Sequence, residues 1–440
     1  MDNTVPFQSH YIPNTTDEQT FMLKKLNAPN IDSLFSDIPD EFRNPVLDLP
    51  NPLSELQIMQ ELNALAAQNR TLSSGPSFLG AGSYHHFIPA AIKPLITRGE
   101  FLTAYTPYQP EVSQGTLQVI YEFQTLISNL YGMEVANAGM YDGATSLAEG
   151  VLMACRVTKR DHASIASTVS PSYLEVIQTY CQAQGITISI FNPEDPNIQE
   201  DSACAVVQYP NFYGGIEKIQ NISDIAHNNG SLLVISADPL ALGMFKSPGD
   251  YGADIATGEG QPLGIPSSFG GPYLGLFTCQ KKYIRQMPSR LVGKTVDKEG
   301  KDGYVLTLQT REQHIRRERA TSNICTNEAL YALASTIYLA LLGKTGTQKI
   351  ANLCYQKAHY AASEINKLPG FKVKNTNEFF KEFVVSCPIP PSTINQKLMQ
   401  NNILGGLDIS NTQENSMLFC VTEMNTKEEI DTLINSLKDL

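Results

Sequence analysis

The sequence predicts a two-lobed α/β protein: a large lobe on a mostly parallel sheet covered on both faces, followed by a smaller α+β lobe. Three observations carry this. The chain has 440 residues, too many for one simple core. In its middle, short apolar runs alternate with helical patterns, the crossovers that parallel strands require. Beyond Thr326 the pattern changes to two long helices, two short strands and a last helix. The expected divisions are an N-terminal arm with helices over 1–70, a large domain over 71–325 and a small C-terminal α+β domain over 326–440.

The first fifty residues are rich in Pro, Asn and Asp, with one short helix over Thr16–Leu26, and suggest an arm that wraps over something. Ser54 and Gln57 have capping-box spacing, and Leu56, Met59, Leu62, Leu65 and Ala66 follow at helical intervals. Helices are expected over Thr116–Leu130, Ala144–Thr158, Tyr173–Cys181 and Ile219–His227. Strands are expected over Ile186–Phe191, Ala203–Val207, Leu232–Ile235 and Tyr273–Phe277. The smaller lobe should hold helices over Glu328–Leu342 and Ile350–Leu368, strands over Phe383–Cys387 and Met417–Val421, and a helix over Lys427–Leu437. Gly343-Lys344-Thr345 lacks the upstream glycine of a phosphate loop and reads as a helix stop.

Composition narrows the function. With 42% hydrophobic and 17% charged residues the chain is an ordinary globular one, neither disordered nor fibrous. A net charge of −12 argues against nucleic acid. The one basic cluster, Arg311, Arg316, Arg317 and Arg319, is interrupted by Glu312 and Glu318. No apolar stretch is long enough for a bilayer, and no basic-then-apolar segment opens the sequence, so the expected compartment is cytoplasmic, or an organelle matrix after processing. The eight cysteines are scattered without a C-x-x-C pair and read as buried thiols. The seven histidines show no metal spacing, so no metal is expected.

Five segments carry a resemblance. They are SYHHFIP at Ser83–Pro89, YTPYQPEVSQGTLQ at Tyr105–Gln118, MYDGATSLAE at Met140–Glu149, GEGQPLGIPSSFGGP at Gly258–Pro272 and RERATSNICT at Arg317–Thr326. In this order they resemble the glycine cleavage P protein in its two-subunit form, specifically the α-type subunit. The resemblance implies an aminotransferase-like fold, pyridoxal-phosphate fold type I, which agrees with the layout above. It implies glycine decarboxylation, with the aminomethyl group passed to the lipoyl arm of the H protein. The activity is that of a glycine dehydrogenase (aminomethyl-transferring, decarboxylating). The implied partners are a β-type subunit, in an α2β2 assembly, and the lipoylated H protein. The cofactor supplies the electron sink, and the protein supplies a lysine, a phosphate site and a carboxylate for the pyridine nitrogen.

Read against those requirements, the sequence falls short. Asp238, after the run Leu232–Ile235, stands where the nitrogen's carboxylate belongs, and equally suits a turn before Pro239. Asp142-Gly143-Ala144-Thr145-Ser146 has the form of a phosphate-binding helix start, but Asp142 serves better as an N-cap and its charge opposes a phosphate. Thr145 falls near the position of the sister subunit's ring-stacking histidine and cannot stack. Gly143, Thr145 and Asp238 therefore read as vestigial. Gln261 falls where the Schiff-base lysine should be, to within one position, and has no nucleophilic amine. Lys246 and Lys281, the nearest alternatives, lie on the wrong sides of strand-like segments. The expectation is that this chain holds no cofactor covalently, that the partner subunit supplies the lysine, and that the chain alone is inactive.

Two loops remain as contributors across an interface. Tyr84, His85, Tyr105, Tyr108, Gln109 and Glu111 put many hydrogen-bonding groups on aromatic bodies, which suits a site as well as a packing loop. Thr321, Ser322 and Asn323 are candidates to reach a partner's cofactor phosphate, as a similarly placed loop does in related lyases and desulfurases. Arg317 and Arg319 read as surface pairs. Two alternatives stay open: a non-catalytic scaffold subunit, and a self-sufficient pyridoxal-phosphate decarboxylase or aminotransferase whose lysine lies elsewhere.

Overall fold

The computed structural model describes residues 14–440 except 44, 47, 269, 325, 326, 376 and 377. The expected domain boundary at 325/326 and the end of the fifth resembling segment thus lie outside the described residues. The chain divides into two compact units, Met1–Arg70 and Thr71–Leu440.

The first unit holds helices Thr16–Lys25 and Glu55–Ala66, each opened by a capping box, Thr15 with Glu18 and Ser54 with Gln57. Neither helix has a buried residue. Phe21, Leu26, Leu56, Met59, Leu62 and Leu65 are all exposed. Helices this short gain little from propensity alone and depend on packing.

The second unit is built on a seven-stranded sheet. In chain order its strands are β1 (Val135–Ala136), β2 (His162–Ala166), β3 (Thr187–Phe191), β4 (Cys204–Tyr209), β5 (Leu232–Ala237), β6 (Ile255–Glu259) and β7 (Gly275–Cys279). They lie side by side as β1-β7-β6-β5-β4-β2-β3. From β6 to β3 every pairing is parallel, and β7 runs antiparallel to both β6 and β1. β5 reads LLVISA and is buried throughout, as a central strand covered on both faces should be. Helix Gly143–Thr158 packs on it. Small residues let it approach closely: a Cβ at Gly150 would already touch Val234, Ile255 and Thr257 at 3.4–3.6 Å.

A hairpin of β8 (Leu291–Val296) and β9 (Asp302–Thr307) closes over helix Gln114–Tyr131, burying Leu117, Ile120, Val292 and Leu306. The last sheet has the order β10-β11-β13-β12, from β10 (Lys372–Val373), β11 (Glu382–Ser386), β12 (Leu407–Asp408) and β13 (Ser416–Cys420). Its own core gathers Phe371, Phe383, Phe419, Ile394, Leu398 and Leu433. The two expected long helices occupy one span, Ala329–Ile365, broken at Gly343. Gly343 has φ +59°, which a side chain resists, so the helix stops and restarts there. The second helix begins directly after it, earlier than the periodicity suggested.

β2, β6 and the β8–β9 hairpin were not among the expected strands. β2 reads HASIA, and polar residues interrupt its apolar pattern. They are buried because they bond one another: Ser164 Oγ lies 2.6 Å from Ser202 Oγ, which lies 3.2 Å from His162 Nδ1. β6 reads IATGE. Its Gly258 is needed because a Cβ there would strike the Tyr131 hydroxyl and the Ala237 carbonyl.

Candidate functional site

In open α/β sheets, ligands bind beyond the carboxyl ends of the parallel strands. There, Asp238 follows β5, Glu259 ends β6, and the helix from Gly143 presents its N-terminus. Lys381 and Glu382 enter from the start of β11, and Tyr84 and His86 from the segment 83–89. Tyr84, Asp238, Glu259, Lys381 and Glu382 line a cavity with about 50 Å3 of open space, enough for a few waters.

Asp238 anchors a turn and also pairs with a cation of its own chain. Its Oδ1 accepts from the Leu240 N–H at 2.9 Å, fixing the turn after Pro239. Its Oδ2 lies 2.6 Å from Lys381 Nζ. Burial pushes the Asp238 carboxyl up, and the Lys381 ammonium more than reverses this and holds it low. Burial pushes Lys381 down, and Asp238 reverses that too, so the pair is ionised. Lys381 is only 2% exposed. Its Nζ is 3.0 Å from His86 Nε2 and 3.5 Å from the centre of the Tyr84 ring.

The network continues outward. His86 Nδ1 lies 2.7 Å from Glu423 Oε2, while Glu423 Oε1 accepts from the Phe87 N–H at 2.7 Å. Burial lowers the His86 pKa, and the neighbouring Lys381 lowers it further. Neutral His86 can accept from Lys381 through Nε2 and donate to Glu423 through Nδ1. Burial pushes Glu423 up, but His86 and the Phe87 amide outweigh it and bring the carboxyl to about 2. Cys354 Sγ donates to the same carboxylate at 3.2 Å. His86, Cys354 and Glu423 could together hold a metal ion. The geometry opposes this: each is already hydrogen-bonded, and an ammonium sits beside the histidine.

Gln261 is 2% exposed and fully engaged. Its Oε1 accepts from the Tyr84 N–H at 2.9 Å, and its Nε2 donates to the carbonyls of Tyr84 at 3.0 Å and Ile265 at 2.8 Å. Gln261 thus clamps the segment 83–89 to the large sheet. Tyr84 then donates its hydroxyl to Glu382 Oε2 at 2.8 Å, and Glu382 Oε1 accepts from the Ala81 N–H at 2.6 Å.

The helix start at Gly143 is also taken. Asp142 caps it, accepting from the Thr145 N–H at 2.7 Å, as an N-cap does. Glu259 Oε2 accepts from the Gly143 N–H at 2.9 Å, and its Oε1 from the Gln261 N–H at 2.9 Å. Burial pushes Glu259 up to about 8 in spite of these donors. A Cβ at Gly143 would meet the Tyr173 hydroxyl at 2.5 Å and Glu259 Cβ at 3.0 Å, so nothing larger than glycine fits.

The other sequence candidates lie apart from this pocket. His85 contributes its backbone carbonyl, which accepts from Thr422 Oγ1 at 2.6 Å. Tyr105 is 85% exposed, and Gln109 and Glu111 are exposed as well. Tyr108 is held by Arg290, whose Nη2 donates to its hydroxyl at 3.3 Å. Thr321, Ser322 and Asn323 border a cleft of about 540 Å3 with Tyr141, Thr145 and Arg156. Ser322 donates its one proton to Glu149 Oε1 at 2.6 Å, so that hydroxyl is already used inside its own chain. Arg319 pairs with exposed Glu318 at 3.7 Å, the surface contact expected of it.

Sequence reasoning missed Lys381, Glu259, Glu382 and Glu423. Lys381 follows Phe379 and Phe380, and only the fold brings it 143 positions back to Asp238. Glu259 lies beside Gln261 within a resembling segment, and its place at the end of an unrecognised strand hid its role.

The order of the seven-stranded sheet and the smaller second sheet give the chain the architecture of a pyridoxal-phosphate fold type I protein. Solved structures agree on the fold: glutamate decarboxylase of Lactobacillus brevis superposes with a TM-score of 0.67 at 12% identity, over 91% of this chain and 95% of that one. A family model described as glycine cleavage system P-protein matches residues 9–437, and the chain belongs to that family. It is 51% identical to a probable glycine dehydrogenase (decarboxylating) subunit 1 of Desulforamulus reducens, over 96% of this chain and 98% of the relative. It is 50% identical to a protein of the same description from Thermomicrobium roseum, over 98% and 99%. A crystal structure of glycine decarboxylase (P-protein) of the glycine cleavage system, in inhibitor-bound form, has a TM-score of 0.93 at 42% identity, over 98% and 100%.

Family membership implies pyridoxal phosphate, and the residues in this pocket do not fit it. Gln261 cannot form the imine, Lys381 covers Asp238, and Glu259 covers the helix N-terminus.

Proposed function

We propose that this chain is the half of a two-subunit glycine decarboxylase that completes an active site held by its partner. The β-type partner supplies the cofactor lysine, the assembly is α2β2, and the chain alone is inactive. What supports the reading is Gln261, a residue without an amine that is buried with its whole amide bonded to Tyr84 and Ile265. The substrate is glycine, and the acceptor of the aminomethyl group is the lipoyl arm of the H protein. Pyridoxal phosphate, held by the partner, supplies the electron sink.

This chain contributes surface groups. Tyr105, Gln109 and Glu111 are exposed and make no side-chain hydrogen bond among the described residues, so they are available to line a partner's pocket. Thr321 and Asn323 border an open cleft and are available to a phosphate across the interface. Tyr84, His86 and Ser322 act within their own chain, holding the loops that carry these groups.

The test is borohydride reduction of the assembled complex in the presence of pyridoxal phosphate, followed by peptide mass spectrometry. A pyridoxyl-lysine on the second subunit alone is expected. A stoichiometric adduct on a lysine of this chain, Lys381 above all, would overturn the reading in favour of a self-sufficient enzyme.

A further inference from the structure

We propose that this chain closes its own cofactor pocket, with Lys381 standing where a pyridine N–H would meet Asp238 and Glu259 standing where a phosphate would meet the helix from Gly143. The inference rests on the reading that the partner holds the cofactor, and goes beyond the missing lysine.

Consider the nitrogen end first. A carboxylate closing β5 satisfies one buried cation, and Lys381 Nζ is that cation at 2.6 Å. An ammonium has three protons to place. Here they have three partners: Asp238, His86 Nε2 at 3.0 Å and the face of the Tyr84 ring at 3.5 Å. His86 is in turn fixed by Glu423. A protonated pyridine arriving at Asp238 must displace the ammonium, which would then be buried without its counter-ion. Breaking a buried pair in that way is strongly unfavourable.

The phosphate end is filled by the same logic. A helix N-terminus offers N–H donors to an anion. Glu259 and Asp142 already take those of Gly143 and Thr145. Their carboxyl groups would also face an incoming phosphate, unlike a cup built of hydroxyls. Between the two ends, Gln261 ties down the segment that carries Tyr84. Each place where the cofactor would attach has an internal substitute, and the substitutes bridge β5, β6, β11 and the segment 83–89. The pocket has become the seam that joins the small lobe to the large sheet.

Restoring the lysine alone should therefore not restore binding. The experiment compares Gln261→Lys with Gln261→Lys/Lys381→Met/Glu259→Ser, each assembled with the second subunit, incubated with pyridoxal phosphate and reduced with borohydride. The single variant is expected to show no pyridoxyl group at position 261, and the triple variant a substantial fraction of one. An adduct at position 261 in the single variant would overturn the inference, because the lysine was then all that was lacking. An assembled triple variant that stays unlabelled would overturn it as well. If the triple variant does not assemble, a double-mutant cycle of Lys381→Met and Asp238→Asn decides. Coupling of about tenfold or more in the unfolding equilibrium is expected, and additive effects would overturn the inference. All three failures leave the proposed function intact, because that reading falls only to an adduct on a lysine native to this chain.

Discussion

At the scale of single residues, the site turns on buried side chains that fasten one segment of the chain to another. Gln261 shows this most directly. An amide has the length to reach from the end of β6 to the segment 83–89, and without it the Tyr84 N–H and the Ile265 carbonyl would lose their partner, and the Tyr84 carbonyl the shorter of its two bonds. Buried backbone groups left unpaired cost about 1–3 kcal/mol. Gln261→Ala is expected to lower the stability of the chain by that order, read as a fall in urea midpoint with unchanged slope. An unchanged midpoint would mean the clamp carries no stability. The sequence showed the absence of an amine at this position, since a missing functional group can be read from one letter. It did not show what replaced it. Lys381 and Asp238 meet only after β5 and β11 are placed, and no local pattern links residues so far apart. Asp238, read from the sequence as either a turn residue or the partner of a pyridine nitrogen, uses one oxygen for the turn and gives the other to Lys381.

Among the elements, those legible in advance had unbroken periodicity: β5, helix Gln114–Tyr131 and the capping box at Ser54 are within two residues of their expected limits at each end. β2 and β6 escaped because buried hydrogen bonds and a close approach to Tyr131, rather than apolar side chains, fit them to the interior. The break at Gly343 was legible as a helix stop, though not as the joint between two nearly continuous helices. Alanine at φ +59° and ψ −172° is strained, so Gly343→Ala should destabilise the chain by about 1–3 kcal/mol, measured by thermal melting. A higher melting temperature would show that the break is not required. The loop 320–324 bears on function. Thr321 and Asn323 border an open cleft, while the Ser322 proton is spent on Glu149. Thr321→Ala with Asn323→Ala should weaken cofactor retention by the assembled complex roughly two- to tenfold, the worth of one ordinary hydrogen bond. Ser322→Ala should act through stability instead. Equal cofactor affinity in the double variant and the wild type would remove this loop from the site.

For the whole molecule, the buried network makes stability a function of pH, with opposite slopes on its two limbs. Glu423 is held at about 2 in the folded chain, against an ordinary value of 4.5. Its stabilising contribution is present above pH ~4.5 and is lost as the pH falls through the range down to about 2. Asp238, also held low, acts on the same side. Glu259 does the reverse. Burial raises it to about 8, so the folded chain binds a proton that the unfolded chain has released. Its contribution is complete below pH ~4.5 and declines as the pH rises through about 8. Stability should therefore peak in mildly acidic solution and fall on both sides. Glu259→Gln keeps an acceptor oxygen at the helix start and removes the proton. Urea midpoints of wild type and Glu259→Gln, taken from pH 5 to 8, isolate the alkaline limb. The wild-type midpoint should fall across that range more steeply than the variant's, by the equivalent of about one proton. Parallel curves would mean that Glu259 is ionised throughout at the helix N-terminus, and its carboxylate would then oppose an incoming phosphate by full charge instead of by occupancy alone.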